Sequence, residues 1–86
     1  MFYVYILKSL KDQQTYIGST TDLRRRIEEH NSGKVISTSP RLPLKLLYYE
    51  AYLSEKDARH REHNLKLKSR AFTQLKKRLE DTLKTV

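Results

Sequence analysis

The sequence predicts an α/β (α+β) domain in the order β-β-α-β-α-α: a three-stranded antiparallel sheet flanked by helices. Three observations carry this. Phe2-Tyr3-Val4-Tyr5-Ile6-Leu7 and Leu44 to Leu53 are aromatic and branched runs of strand type. A polar stretch, Ser9 to Gln14, joins the first run to a short extended run at Thr15 to Ser19. Helical spacing appears at Leu23, Ile27 and His30, and again at Phe72, Leu75, Leu79 and Leu83.

The first two runs form a hairpin that puts Tyr5 and Tyr16 on neighbouring strands. Gly18 is expected to break the second strand, because glycine reaches backbone angles that other residues avoid. Asp22 or Thr21 then caps a helix from Leu23 to Asn31, which Asn31-Ser32-Gly33 ends. On that helix Arg26 sits four residues before His30, so the two are edge neighbours. Lys34 to Leu42 reads as a polar Ser/Thr loop closed by Pro40 and Pro43, and the third strand follows and joins the hairpin. Ser54 starts a second helix, with Glu55 and Asp57 at its positive end. Its apolar stripe is thin, Ala58 and Leu65, and Glu62 lies on it. Ser69 or Arg70 breaks this helix, and one last helix over residues 71–86 turns Lys76, Lys77 and Arg78 outward.

The chain of 86 residues is read as a single domain, 1–86, with its motifs in residues 2–70. Its net charge of +8 points to a polyanionic partner, nucleic acid before an acidic membrane surface. Residues 1–22 balance, and residues 23–86 carry the whole excess. Arg24, Arg25, Lys34, Arg41 and Lys66 are the candidate phosphate contacts. The basic run of the last helix reads equally as a solvated face. No cysteine is present, which excludes disulfides and thiolate metal sites and fits a cytoplasmic location. Phe2 to Leu7 is too short to span a membrane and lacks a signal peptide's basic start, so no membrane association is expected. His30, His60 and His63 form no zinc set, and no phosphate-binding glycine loop or Ser-His-Asp order appears.

Thr15 to Arg26 brings a strand-end phenol and helix guanidiniums into one small space. That pairing suits activation of a hydroxyl near a phosphate, and equally suits a core tyrosine beside a solvated basic helix. Glu62 on an apolar stripe must be paired or hold a cation, with Arg59, Arg61 and Lys66 as the candidate salt-bridge partners.

Taken together, these residues resemble the GIY-YIG nucleases. Tyr3-Val4-Tyr5 precedes Tyr16-Ile17-Gly18, with eleven residues from Tyr5 to Tyr16. Arg26 follows Tyr16 by ten, His30 follows by four more, and Glu62 lies in the next helix. The resemblance spans roughly residues 2–70 and is closest to the small stand-alone members; it is more distant to the nuclease domain of the excinuclease C subunit and to homing endonucleases. It implies a site on the sheet face and a one-metal hydrolysis of DNA phosphodiesters, structure-selective and linked to DNA repair or recombination. Tyr16 would be the general base or activate the water, and Tyr5 would position the water or hold the phosphate. Arg26 would stabilise phosphoryl charge, His30 would assist in proton transfer or hydrogen bonding, and Glu62 would hold Mg²⁺ or Mn²⁺. A free tyrosine titrates near 10, so a base at neutral pH needs the help of a nearby cation.

Two positions depart from the family pattern. Tyr3 stands where the family name has Gly, and the site-closing Asn of larger members has no match, Asn64 being within a turn of Glu62. No separate DNA-binding domain is evident, which implies weak or structure-selective activity, or a protein partner that selects the target. Nothing in the sequence reads a 2′-hydroxyl, so RNA is not excluded. The alternatives are a non-catalytic nucleic-acid-binding module with a weakened site and a domain whose basic surface binds an acidic protein.

Overall fold

The computed structural model describes residues 1–67 and 70–85. Strands β1 (Phe2–Ser9), β2 (Thr15–Thr20) and β3 (Leu44–Tyr52) form one sheet in the order β2-β1-β3, and both pairs are antiparallel. Helix α1 (Leu23–Asn31) lies between β2 and β3 in sequence; α2 (Glu55–Lys66), α3 (Arg70–Arg78) and α4 (Glu80–Thr85) follow.

Strand β1 is central and covered on both faces, which is why its sequence is an unbroken apolar run rather than an alternation. Val4 and Ile6 pack with Ile17 against Ala58 and Leu65 of α2 and Leu75 of α3. Tyr5 and Leu7 face the other way, with Leu44, and meet Leu23 and Ile27 of α1. The two helical layers therefore grip opposite faces of the sheet.

The hairpin turn closes through side chains. Ser9 Oγ accepts from the N–H groups of Lys11 and Asp12, both at 3.2 Å, and the Asp12 carboxylate accepts from Gln14 N–H at 2.8 Å. Helix α1 is capped by Asp22, whose carboxylate accepts from Arg25 N–H at 3.1 Å. Helix α2 is capped by Ser54 through Asp57 N–H at 3.3 Å. On the α2 face, Glu50 accepts from Tyr48 Oη at 2.7 Å and from Arg61 Nε and Nη2 at 2.9 and 3.0 Å. Tyr52 donates to the same carboxylate. Burial opposes the charge of Glu50, but the bonds from Arg61, Tyr52 and Tyr48 outweigh it and hold its pKa below the usual carboxylate range.

Four expectations need correction. Gly18 does not break β2; it lies inside the strand opposite Tyr5, and its φ is not positive. A Cβ there would come within 2.6 Å of Tyr5 Cζ, so glycine is needed for space under the tyrosine ring and not for its backbone freedom. The polar loop holds a 3₁₀ turn, Ser39–Arg41, and buries Val35 and Thr38. The last helix divides at Leu79, whose N–H is shared between the carbonyls of Leu75 and Lys76, each at 3.1 Å. Helix α2 ends at Lys66 and Arg70 begins α3, so Arg70 is not the breaker; Ser69 lies outside the described residues.

Gly18→Ala should therefore lower stability by about 1–3 kcal/mol, the usual range for overpacking a core. A urea titration checks this. An unchanged midpoint would mean that the Tyr5 ring shifts without cost.

Candidate functional site at the edge of the sheet

Tyr5 and Tyr16 share a face because Tyr5 pairs with Gly18 and Leu7 with Tyr16, which sets the two phenols diagonally across adjacent strands. Their ring centroids are 6.4 Å apart. Helix α1 delivers His30 into the angle between them. Its ring lies 5.0 Å from Tyr16 and 5.8 Å from Tyr5, edge-on to both. His30 has no exposed surface, and Tyr5 is 1% exposed.

The hydrogen bonds run as a directed chain. Tyr5 Oη is 2.9 Å from His30 Nε2, and His30 Nδ1 is 2.8 Å from Thr38 Oγ1. The Thr38 hydroxyl donates to the Val35 carbonyl 3.4 Å away, so it accepts from His30 Nδ1–H. His30 Nε2 is left to accept the Tyr5 proton as a neutral imidazole. Burial pushes the Tyr5 phenol up to about 12, against the opposing pull of Arg26. Burial also holds His30 below its ordinary value, with the Arg26 charge second and Glu29 opposing.

Glu62 comes from the other layer. Ser19 shares a face with Val4 and Ile17, toward α2, and its hydroxyl donates to Glu62 Oε1 at 2.7 Å. Lys66 Nζ is 2.8 Å from Glu62 Oε2. Burial penalises this carboxylate, but the bonds from Lys66 and Ser19 outweigh it and lower its pKa, so Glu62 is ionised. Arg26 comes from α1 and Glu62 from α2, and both reach Ser19's end of the edge strand: Arg26 lines a cleft with Ser19 and Thr20, and Glu62 is bonded to Ser19. Among the described residues no group of three or more His, Asp or Glu side chains could together hold a metal. Glu62 stands as a single carboxylate with hydroxyl company, a set that suits an oxygen-loving ion keeping most of its waters.

The expected phosphate contacts are dispersed. Arg24 and Lys34 are exposed, and Arg25 is exposed with a 3.6 Å ion pair to Glu29. Arg41 is tied to Asp12 at 2.9 Å and to the Thr15 carbonyl at 3.4 Å, where it staples the hairpin. Lys66 neutralises Glu62. Ser19 and Thr38 were missed from the sequence. Ser19 had a readable signal, since it alternates with Ile17 onto the face that α2 covers; Thr38, in a loop of similar residues, had none.

A family model described as the GIY-YIG catalytic domain matches residues 1–78. The chain belongs to the GIY-YIG family. It is 46% identical over 69 residues to a UPF0213 protein of Streptococcus pneumoniae serotype 4, covering 79% of this chain and 69% of that one. A UPF0213 protein of Haloquadratum walsbyi is 40% identical over 65 residues, covering 74% and 72%. The solution NMR structure of UPF0213 protein BH0048 from Bacillus halodurans is 40% identical with a TM-score of 0.53, covering 87% of this chain and 81% of that one. This GIY-YIG domain is thus one of a nuclease family, in the group of its small UPF0213 members. No helix among its described residues is long and apolar enough to cross a membrane.

The buried imidazole sets a pH dependence. His30 binds its proton less readily in the native state than in the unfolded state, so the unfolded state takes up more protons once the pH falls below about 6.5. Stability should fall between pH 7 and pH 5, and His30→Gln should flatten that window. The carboxylates with lowered values, Asp12, Glu50 and Glu62, act below it. Urea midpoints at both pH values check this; an equal slope in the variant would assign the loss to other groups.

Proposed function

We propose that this chain is an endonuclease that hydrolyses DNA phosphodiesters with Mg²⁺ or Mn²⁺, acting on DNA structures in repair or recombination. One observation carries the reading. The Arg26 guanidinium lines the same cleft as Ser19, whose hydroxyl holds the ionised carboxylate of Glu62.

Hydrolysis joins a water oxygen to phosphorus and breaks one P–O ester bond, with a proton leaving the water and another reaching the departing oxygen. Arg26 stabilises the charge that builds on the phosphoryl oxygens. Tyr16, the less buried of the two phenols, orients the water and passes on its proton. Tyr5 stays protonated, because burial raises its pKa to about 12, so it acts as a positioning residue that holds Arg26 and His30 in place. His30, enclosed and neutral, orients Tyr5. Glu62, with Ser19 beside it, is the residue that would hold the divalent ion. That ion supplies Lewis-acid polarisation of a phosphoryl oxygen when bound. The protein acts on DNA in the cytoplasm, with a protein partner supplying target selection.

A second reading, nucleic-acid binding without cleavage, has one observation in its favour. The Lys66 ammonium, 2.8 Å from Glu62, already neutralises the carboxylate that the ion needs.

Nicking of supercoiled plasmid and of flapped or branched oligonucleotides, with either metal, tests the reading. Glu62→Ala should abolish metal-dependent cleavage and leave DNA binding nearly intact. Arg26→Ala should slow cleavage on the order of 10²–10³-fold, as for loss of one charge-stabilising group. Full activity in both variants would overturn the assignment, and salt-sensitive binding without cleavage by the wild type would select the second reading. Lys66→Ala should lower the metal concentration needed for half-maximal cleavage, since it removes the competing cation; an unchanged or higher requirement would count against Glu62 as the metal ligand.

A further inference from the structure

A cleft of about 410 Å³ opens between α1 and α2 at the Thr20 end of β2. Its lining includes the hydroxyl residues Ser19, Thr20 and Thr21, with Arg25 and Arg26 on the α1 side and Arg59 on the α2 side. Ser19 and Arg26 also belong to the centre described above, so the cleft continues directly from it.

The arginines of this molecule divide into two kinds. Arg41 and Arg61 make short bonds of 2.9 Å to Asp12 and Glu50 and are largely covered. Arg25 and Arg59 make only long, exposed i, i+4 pairs, 3.6 Å to Glu29 and 3.5 Å to Glu55. Pairs of that kind contribute little and exchange readily for a better anion. Arg59 stands one helical turn before Glu62, and Arg25 directly precedes Arg26. Arg25 and Arg59 thus sit beside Arg26 and Glu62, one on each helix.

We propose that this cleft is a second phosphate subsite, which holds the phosphodiester next to the one at Arg26 and Glu62, with Arg25 and Arg59 as its walls. The proposal rests on the phosphodiester reading of the centre and extends it to the substrate. The cleft's charges cancel when it is empty, since Arg25, Arg26 and Arg59 face Asp22, Glu29 and Glu55. A free phosphate therefore gains little there. A phosphate carried by a strand already held at Arg26 arrives at high effective concentration and displaces the weak pairs. The favoured substrate is a continuous strand with phosphates beside the cut, so cleavage falls at internal bonds.

Two measurements test this. In chelator, binding of a short DNA duplex is followed by anisotropy over a salt series. Arg59→Gln should reduce the slope of log K against log salt by ~0.9, the loss of one phosphate contact. Its unchanged slope and affinity would overturn the proposal. With metal, oligonucleotides carrying a neutral methylphosphonate one position from the cut are compared with unmodified ones. On one side of the cut the modification should raise KM for the wild type, with kcat nearly unchanged, and add nothing in Arg59→Gln. Equal penalties in both proteins, or none, would also overturn it. If the wild type cleaves nothing while Arg59→Gln still lowers the salt slope, the nuclease reading fails and the phosphate subsite stands.

Discussion

The structure depends on one buried phenol. The Tyr5 ring lies over Gly18, where a side chain larger than hydrogen would meet it, and its hydroxyl is bonded to His30 of α1. Through Gly18 and His30, that arrangement of ring and hydroxyl ties the central strand, the edge strand and α1 together at one point. It also costs the phenol its acidity, because an enclosed oxygen in contact with aromatic rings and a neutral imidazole has little solvation for a negative charge. A tyrosine used this way serves as a strut. The imidazole behind it is held by Thr38, so a loop residue eight positions beyond His30 completes the alignment of α1. A buried polar chain of this sort is stable only when each member is satisfied, and among the described residues no buried side-chain nitrogen or oxygen is left without a partner.

The second constraint is the seat of α2. Its apolar contribution is small, Ala58 and Leu65, so the forked Arg61–Glu50 pair with Tyr48 and Tyr52 supplies much of what sets its rotation. Arg61 points to Glu50 on β3, and the next residue, Glu62, points to Ser19 on β2. The two contacts reach different strands on either side of β1, so the helix is held from both flanks and Glu62 is aimed at the sheet edge. The geometry of the centre therefore arises from two independent anchors, one on each face of the sheet.

This division explains how a chain of 86 residues supports a site with so little core. Residues of the family motif hold the fold. Tyr5 and His30 are almost fully enclosed, and Gly18 leaves the space that the Tyr5 ring fills. Arg26, Tyr16 and Glu62 retain solvent access, and the exposed arginines beside them keep partners weak enough to exchange.

The order of elements was legible in the sequence, because each follows from local chemistry: branched and aromatic runs for strands, helical spacing with Asp22 and Ser54 as caps, and Asn31-Ser32-Gly33 as a stop. The candidate residues Tyr5, Tyr16, Arg26, His30 and Glu62 were legible too, through their spacing. Which of them touch was not. Gly18 read as a turn because a sequence shows glycine's freedom but not the ring that lies above it. Thr38 was hidden because nothing in a Ser/Thr loop marks the one hydroxyl that meets a buried imidazole. The commitment of Arg41 to the hairpin depends on a partner distant in the chain, Asp12. Composition and periodicity by themselves determined the elements and the basic charge, both of them properties of short segments, and the spacing of Tyr5, Tyr16, Arg26, His30 and Glu62 carried the family resemblance. Tertiary structure alone decided which side chains are enclosed, which ion pairs are tight and which hydroxyl meets Glu62, since burial and distance exist only once the two helical layers close on the sheet.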